Sequence, residues 1–140
     1  MPTQPRGFTL IELLIAVAII ALLAAVVYPT YTEHVRKAHR SAIVALLLQE
    51  AHALERFHSR AGQYTNTPGP PAREHDVQSG NTLYALDAER LDQSFTLIAT
   101  PLANTIMNDD ACGSFVLTHT GRRDNPGLSG GASVQGCWGR

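Results

Sequence analysis

Charge is what this sequence has least of. Asp, Glu, Lys and Arg make up 16% of its 140 residues, and they leave a net charge of −1. Ordinary soluble domains carry about a quarter. A chain so close to neutral has no overall basic field for holding nucleic acid, so any such role falls to a local patch. Disorder throughout is excluded too, because 44% of the residues are apolar. Catalytic constellations are also missing. No His-Glu-x-x-His run occurs, and the only cysteines, Cys112 and Cys137, do not have zinc spacing. His52, Glu55 and His58 recur every third residue of a helical stretch, where successive 300° steps spread them around the surface. Six histidines therefore read as scattered solvated side chains. Ser129-Gly130 lacks a nucleophile elbow, and the glycines from 127 to 136 lack the lysine of a phosphate-binding loop. The composition points away from an enzyme and implies no cofactor or metal. Length gives a prior of one domain.

The apolar residues are concentrated at one end. Leu13–Tyr28 is sixteen residues without a charge, and back to Phe8 only Thr9 and Glu12 interrupt the run. About 20 apolar residues in a helix cross a bilayer, so this segment is long enough to span one. A cleavable signal peptide or simple anchor would leave Glu12 unexplained, since a carboxylate inside a span costs about 2.5–3.5 kcal/mol on insertion scales. Two readings of Glu12 stand side by side: an interfacial acid solvated near the membrane edge, or a functional acid with a partner. Arg6 precedes the segment while Arg36, Lys37 and Arg40 come after it, so loop charge alone does not orient it. An N-terminal membrane segment places the two cysteines in an oxidising compartment, where they form a bridge or remain as two separate buried thiols.

The string Gly7-Phe8-Thr9-Leu10-Ile11-Glu12, followed by the apolar helix and Pro29, resembles the class III signal of type IV prepilins. The resemblance implies a leader, residues 1–7, that prepilin peptidase removes after Gly7. The same enzyme would then N-methylate Phe8. It also implies that Glu12 pairs with the terminal amine of a neighbouring subunit, two charges that tolerate low dielectric only together and that fix axial register. Many pilins have a glycine where Ala21 stands here, in a stretch that can unwind. Alanine favours helix by about 1 kcal/mol over glycine, so melting there is expected to be harder. Pro29 is the expected kink.

Residues 8–29 thus form the membrane or filament-core half of a long helix, and 30–60 an amphipathic half. Val35, Ala42, Leu46, Ala53 and Phe57 predict its buried stripe, widened on one side by Ile43, Leu47 and Leu54. Glu33, Arg36, Lys37, Arg40 and Arg56 are placed on the opposite, solvated face. The helix should run from about Phe8 to Ser59, roughly 78 Å, with Gly62 as the residue after its cap. A stripe of about four turns suits packing on the chain's own sheet better than a coiled-coil stalk.

Residues 61–140 read as a connecting loop, an antiparallel sheet and a glycine-rich tail. Gly69, Gly80, Pro68, Pro70 and Pro71 mark the loop, with Tyr64 as an apolar anchor. Strands are predicted at 82–86, 94–100 and 113–120, with Asp87–Gln93 between the first two and a charged turn from Arg122 to Gly127 after the third. The fold class is α+β, the pilin fold, a long helix on an antiparallel sheet. The tail from Leu128 cannot hold itself by packing. A Cys112–Cys137 bridge would close a loop of about 26 residues, worth about 3.5 kcal/mol in the chain-entropy model. In type IV pilins such a bridge bounds a variable region, and Thr100-Pro101, Cys112-Gly113 and Cys137-Trp138 together resemble PilE-type minor pilins.

Taken whole, the resemblance implies a minor pilin, not an enzyme. It would sit in the inner membrane with its head in the periplasm, then join or prime an extracellular filament used for adhesion, twitching motility or DNA uptake. Its partners would be other pilin subunits, prepilin peptidase and the inner-membrane assembly machinery. DNA contact would rest on Arg122 and Arg123, which Asp124 offsets and which also read as a solvated turn. A pseudopilin of type II secretion and a membrane-anchored binding module that never polymerises are the alternatives.

Overall fold

A computed structural model describes residues 7–65 and 82–139. Helix α1 runs from Leu10 to Ala61 and is followed by strands β1 (Tyr84–Arg90), β2 (Phe95–Pro101), β3 (Phe115–Thr118) and β4 (Arg123–Asp124), then a single turn of helix, α2 (Val134–Cys137). The chain divides into two units, one up to Val35 and one from Arg36 onward. The leader up to Arg6 and the proline-bearing part of the predicted loop lie outside the described residues.

In the first unit the helix is bare. Fifteen large apolar side chains from Phe8 to Tyr31 have between 53% and 88% of their surface exposed. Helical structure continues through Pro29, whose ring nitrogen has no proton to offer the Ala25 carbonyl. By length and composition this stretch is apolar enough to cross a membrane.

The second unit carries the core. The four strands form an antiparallel sheet in chain order. Alternation sends Tyr84, Leu86 and Ala88 to one face beside Phe95, Leu97, Ala99, Phe115 and Leu117. These make one buried cluster with Ile43, Val44, Leu47 and Leu54 of α1. The helix therefore buries the side predicted only to widen the stripe. Ala42 is exposed, and Val35, Leu46, Ala53 and Phe57 are only half-buried.

Arg36 and Arg40 do not lie on the solvated face. At spacings of four, three, four and seven they run in line with Ile43, Leu47 and Leu54. The sheet ends there, and the β2–β3 connection covers the helix instead. Arg36 Nε donates to the Ile106 carbonyl at 3.1 Å. Arg40 Nε donates to both Asp110 carboxylate oxygens at 3.0 Å, and its Nη2 to Oδ2 at 2.6 Å. The Asp110 side chain is wholly buried and that of Arg40 is 14% exposed.

β1 begins later and extends further than predicted, because Asp87 and Glu89 alternate outward between buried Leu86 and Ala88. The predicted charged turn contains β4, which returns along β3 after Gly121 at φ +77°. Gly62, at φ +74°, ends α1 as expected, with its N–H on the His58 carbonyl at 2.7 Å.

Two buried polar groups set the head's response to mutation. Arg40→Ala leaves a buried, uncompensated carboxylate and should cost about 3–5 kcal/mol in denaturant unfolding. The Tyr84 hydroxyl is buried without a hydrogen-bond partner among the described residues. Burial, helped by the Asp110 charge and opposed by Arg40, holds its phenol above the ordinary value of 10.0. A phenol pKa raised by folding costs nothing below pH 10, where both states hold the proton, and lowers native stability as pH rises beyond it. Tyr84→Phe should therefore leave stability at pH 7 unchanged or higher and flatten its decline in pH-dependent melting above about pH 10.

Candidate functional site

The chain presents two regions with functional geometry: the start of α1 and the segment enclosed by the two cysteines. At the first, Thr9 and Glu12 form a reciprocal cap. Thr9 N–H and its hydroxyl both donate to Glu12 Oε2, at 2.9 and 2.8 Å, and Glu12 N–H donates to the Thr9 hydroxyl at 3.3 Å. This is a capping box, satisfying two donors that a helix start otherwise leaves open. The Thr-x-x-Glu spacing was in the sequence and is the signal that reading Glu12 only as a membrane-embedded charge overlooks. Oε1 makes no hydrogen bond among the described residues. Gly7 and Phe8 precede the cap, non-helical and exposed, with Phe8 at 88%.

At the second region Cys112 and Cys137 are disulfide-bonded, with Cα atoms 5.7 Å apart. Cys112 N–H donates to Asp110 Oδ1 at 3.0 Å, so the carboxylate that binds Arg40 also orients the first cysteine. Packing, as well as the bridge, holds the tail. Trp138 is buried edge-on to Phe115 at 5.5 Å, and the Arg123 guanidinium lies 5.3 Å from its ring centre. Its indole N–H donates to Asn125 Oδ1 at 2.8 Å, while Asn125 Nδ2 donates to the Ser114 carbonyl at 3.0 Å. Ser133 caps α2. The expectation of a tail without packing therefore fails, since one large aromatic supplies the core that its glycines lack. Gly113, at φ +58°, lets this layer close, because a Cβ there would drive into the Pro126 carbonyl.

Arg122 is exposed and pairs weakly with Asp124 at 3.5 Å. Tyr64 is the predicted anchor. Its ring stacks on His58 at 4.3 Å and its hydroxyl donates to Glu55 at 2.9 Å. Desolvation first, and then Glu55, raises its phenol above the ordinary range. Among the described residues no group of His, Cys, Asp or Glu could hold a metal ion.

With this geometry in view, comparison with known proteins is decisive. A model described as "Type IV minor pilin ComP, DNA uptake sequence receptor" matches residues 29–116, more than half the chain, and the prokaryotic N-terminal methylation motif matches residues 3–28. The chain belongs to the type IV minor pilin family. It is 34% identical over 80 residues to a fimbrial protein of Neisseria meningitidis, covering 56% of this chain and 47% of that protein. It is 40% identical over 65 residues to the fimbrial protein EcpB of Eikenella corrodens, covering 46% and 41%. The chain thus spans about half the length of the curated relatives it matches. A type IV pilin from Shewanella oneidensis superposes with a TM-score of 0.49 at 26% identity, over 62% of this chain and 88% of that one.

The cap makes a specific prediction about the pilin's first turn. Glu12→Gln keeps an acceptor for Thr9, whereas Glu12→Ala removes it. Amide exchange at Thr9 and Glu12 in detergent should quicken in the alanine variant and change much less in the glutamine variant.

Proposed function

We propose that this pilin is inserted in the inner membrane with its head in the periplasm. Prepilin peptidase cuts it after Gly7 and methylates Phe8, and the assembly machinery passes it into a filament whose exposed heads contact DNA. The bare apolar helix carries this reading. An uncovered stretch of that size is not sustained in water, and lipid followed by neighbouring pilin helices covers it at each stage. Removing residues 1–7 leaves an ammonium on Phe8, one residue before the cap. Glu12 has one oxygen engaged by Thr9, so Oε1 is left to accept the terminal amine of a neighbouring subunit, and the register of packing is set by that pair. The helix lacking an N–H at Pro29 supplies the bend.

The family description favours DNA uptake over adhesion or twitching as the filament's task. Arg122 in the β3–β4 turn and Arg123 at the start of β4 are exposed inside the disulfide-bounded region, where a phosphate could reach them.

Mass spectrometry of sheared filaments should find this chain beginning with methylated Phe8, and Glu12→Ala should be processed but absent from filaments. An unprocessed Met1 in the native host would defeat the reading. For the DNA step, Arg122→Ala should leave filament number unchanged. It should lower the salt slope of duplex binding by about one, as expected for one lost phosphate contact. Filaments that bind DNA equally well with and without this chain would remove that part of the proposal.

A further inference from the structure

Two of the histidines that read as scattered stand together at the end of the head where α1 stops. The His58 ring stacks on Tyr64 at 4.3 Å, and the His119 ring lies 6.5 Å from the same phenol and 6.3 Å from Phe95. Three segments meet here, and each is tied down. Past α1, Tyr64 N–H donates to the Asp92 carbonyl at 2.9 Å and Thr65 Oγ1 to Asp92 Oδ1 at 2.7 Å. From the end of β1 and the turn after it, Arg90 Nε donates to the Tyr64 carbonyl at 2.9 Å and Gln93 Nε2 to that of Gly62 at 3.1 Å. The β3–β4 turn closes on itself, with Gly121 N–H on the Thr118 carbonyl and Thr118 N–H on that of Arg122, while His119 N–H donates to the Phe95 carbonyl. His119 and Arg122 are exposed on this turn, and His58 is half-buried. The charges nearly everywhere else at this end cancel. Over residues 55–65, 87–95 and 116–124, five arginines (Arg56, Arg60, Arg90, Arg122 and Arg123) meet five carboxylates (Glu55, Asp87, Glu89, Asp92 and Asp124), so the two imidazoles set the sign. Of these groups, Glu55, Asp92 and Arg90 face the rings through Tyr64, which bonds all three. Arg60 and Arg122 follow the two histidines by two and three residues.

We propose, resting on the reading that the heads contact DNA, that His119 is a phosphate ligand beside Arg122 and that His58 adds its charge to the same surface. An imidazole ordinarily gains its proton near pH 6.5. Above that value the arginines here are offset by acids, and a phosphate backbone finds little net attraction. Below it, two positive charges are added to a balanced surface, and the exposed one also brings N–H donors to the turn that carries Arg122. The hydrogen-bonded turn holds His119 and Arg122 on a fixed backbone, so little ordering is lost when a phosphate binds. DNA is therefore held more tightly in mildly acid surroundings. One copy of the chain makes this contact, and no neighbouring copy is needed.

The test measures duplex DNA binding by the full-length chain in detergent, by fluorescence anisotropy at constant ionic strength from about pH 8 to about pH 5.5, a range above the ordinary carboxylate values. Acidification should tighten binding by about ten-fold and steepen the salt slope by about one, the mark of one added phosphate contact. His119→Gln should shrink that gain to about two-fold, and His58→Gln to about five-fold. His119→Arg, charged at every pH, should bind at the alkaline end about as tightly as the parent does at the acid end, which a merely structural ring would not produce. Near-UV circular dichroism reports the packing around Tyr64 in each variant. A parent that binds DNA equally across the range would overturn the proposal. So would a folded His119→Gln chain that keeps the whole pH response. If His119→Gln does not fold, His119→Arg decides, and no gain at the alkaline end counts against the contact. The DNA reading is separable. Binding that is indifferent to pH but weakened by Arg122→Ala keeps that reading and removes only the histidines, whereas no duplex binding at any pH removes both.

Discussion

The buried pair of Arg40 and Asp110 holds the head's parts to one another. The segment between β2 and β3 has no ladder partner. Its internal order comes from short turns, such as Asn108 N–H on the Thr105 carbonyl and Asp110 N–H on that of Met107. What fixes it to α1 is the bidentate guanidinium–carboxylate geometry, with Arg36 bonding the Ile106 carbonyl one turn earlier. Asp110 then passes the constraint on. Its Oδ1 accepts the Cys112 N–H, Cys112 is bridged to Cys137, and Trp138 next to that cysteine closes over Phe115. A run from helix to C terminus is thus referenced to one charged contact. Its two ions are costly to desolvate, and only near-complete hydrogen bonding makes that burial tolerable.

The sequence disclosed what is repetitive or rare: the long helix, the uncharged stretch, the acid near its start, the cysteine pair and the strand at SFTLIAT. It concealed what depends on a residue acting against its type. Arg36 and Arg40 read as solvated because arginines usually are, although their spacing continues the line of Ile43, Leu47 and Leu54. From the sequence β1 reads short because Asp87 and Glu89 resemble a turn. In a sheet with one open face, however, outward acids are ordinary and only the alternating apolar positions report the strand. β4 is two residues long and exists through pairing with β3, so no local pattern could announce it. The tail reads as unable to pack because it is rich in glycine, yet a single Trp with a hydrogen-bonded indole suffices when a disulfide brings it to the sheet.

In the proposed assembly Glu12 would serve two stages of a pilin's life. In the single chain its carboxylate closes the first turn of α1 through Thr9, so it is not a bare charge within an apolar stretch. The cap engages only one of its oxygens, however. Aligned peptide dipoles at a helix start already favour an anion there. The cap orients the acid within the single chain, so in the proposed pairing little ordering would remain to be lost on meeting an ammonium.

The same economy governs the rest of the molecule. An apolar rod by itself associates without direction, since any apolar face satisfies any other. Polarity has to come from features that differ between two sides. The proposed pairing of Glu12 with a neighbouring terminal amine would be one such feature, because the capped acid stands at one end of the bare stretch. It would add little cohesion while exposed, because exposed charges are screened within about 8–10 Å at physiological salt. Its proposed effect is to make most of the arrangements that the rod would accept unfavourable, leaving a one-way order among many equally greasy alternatives.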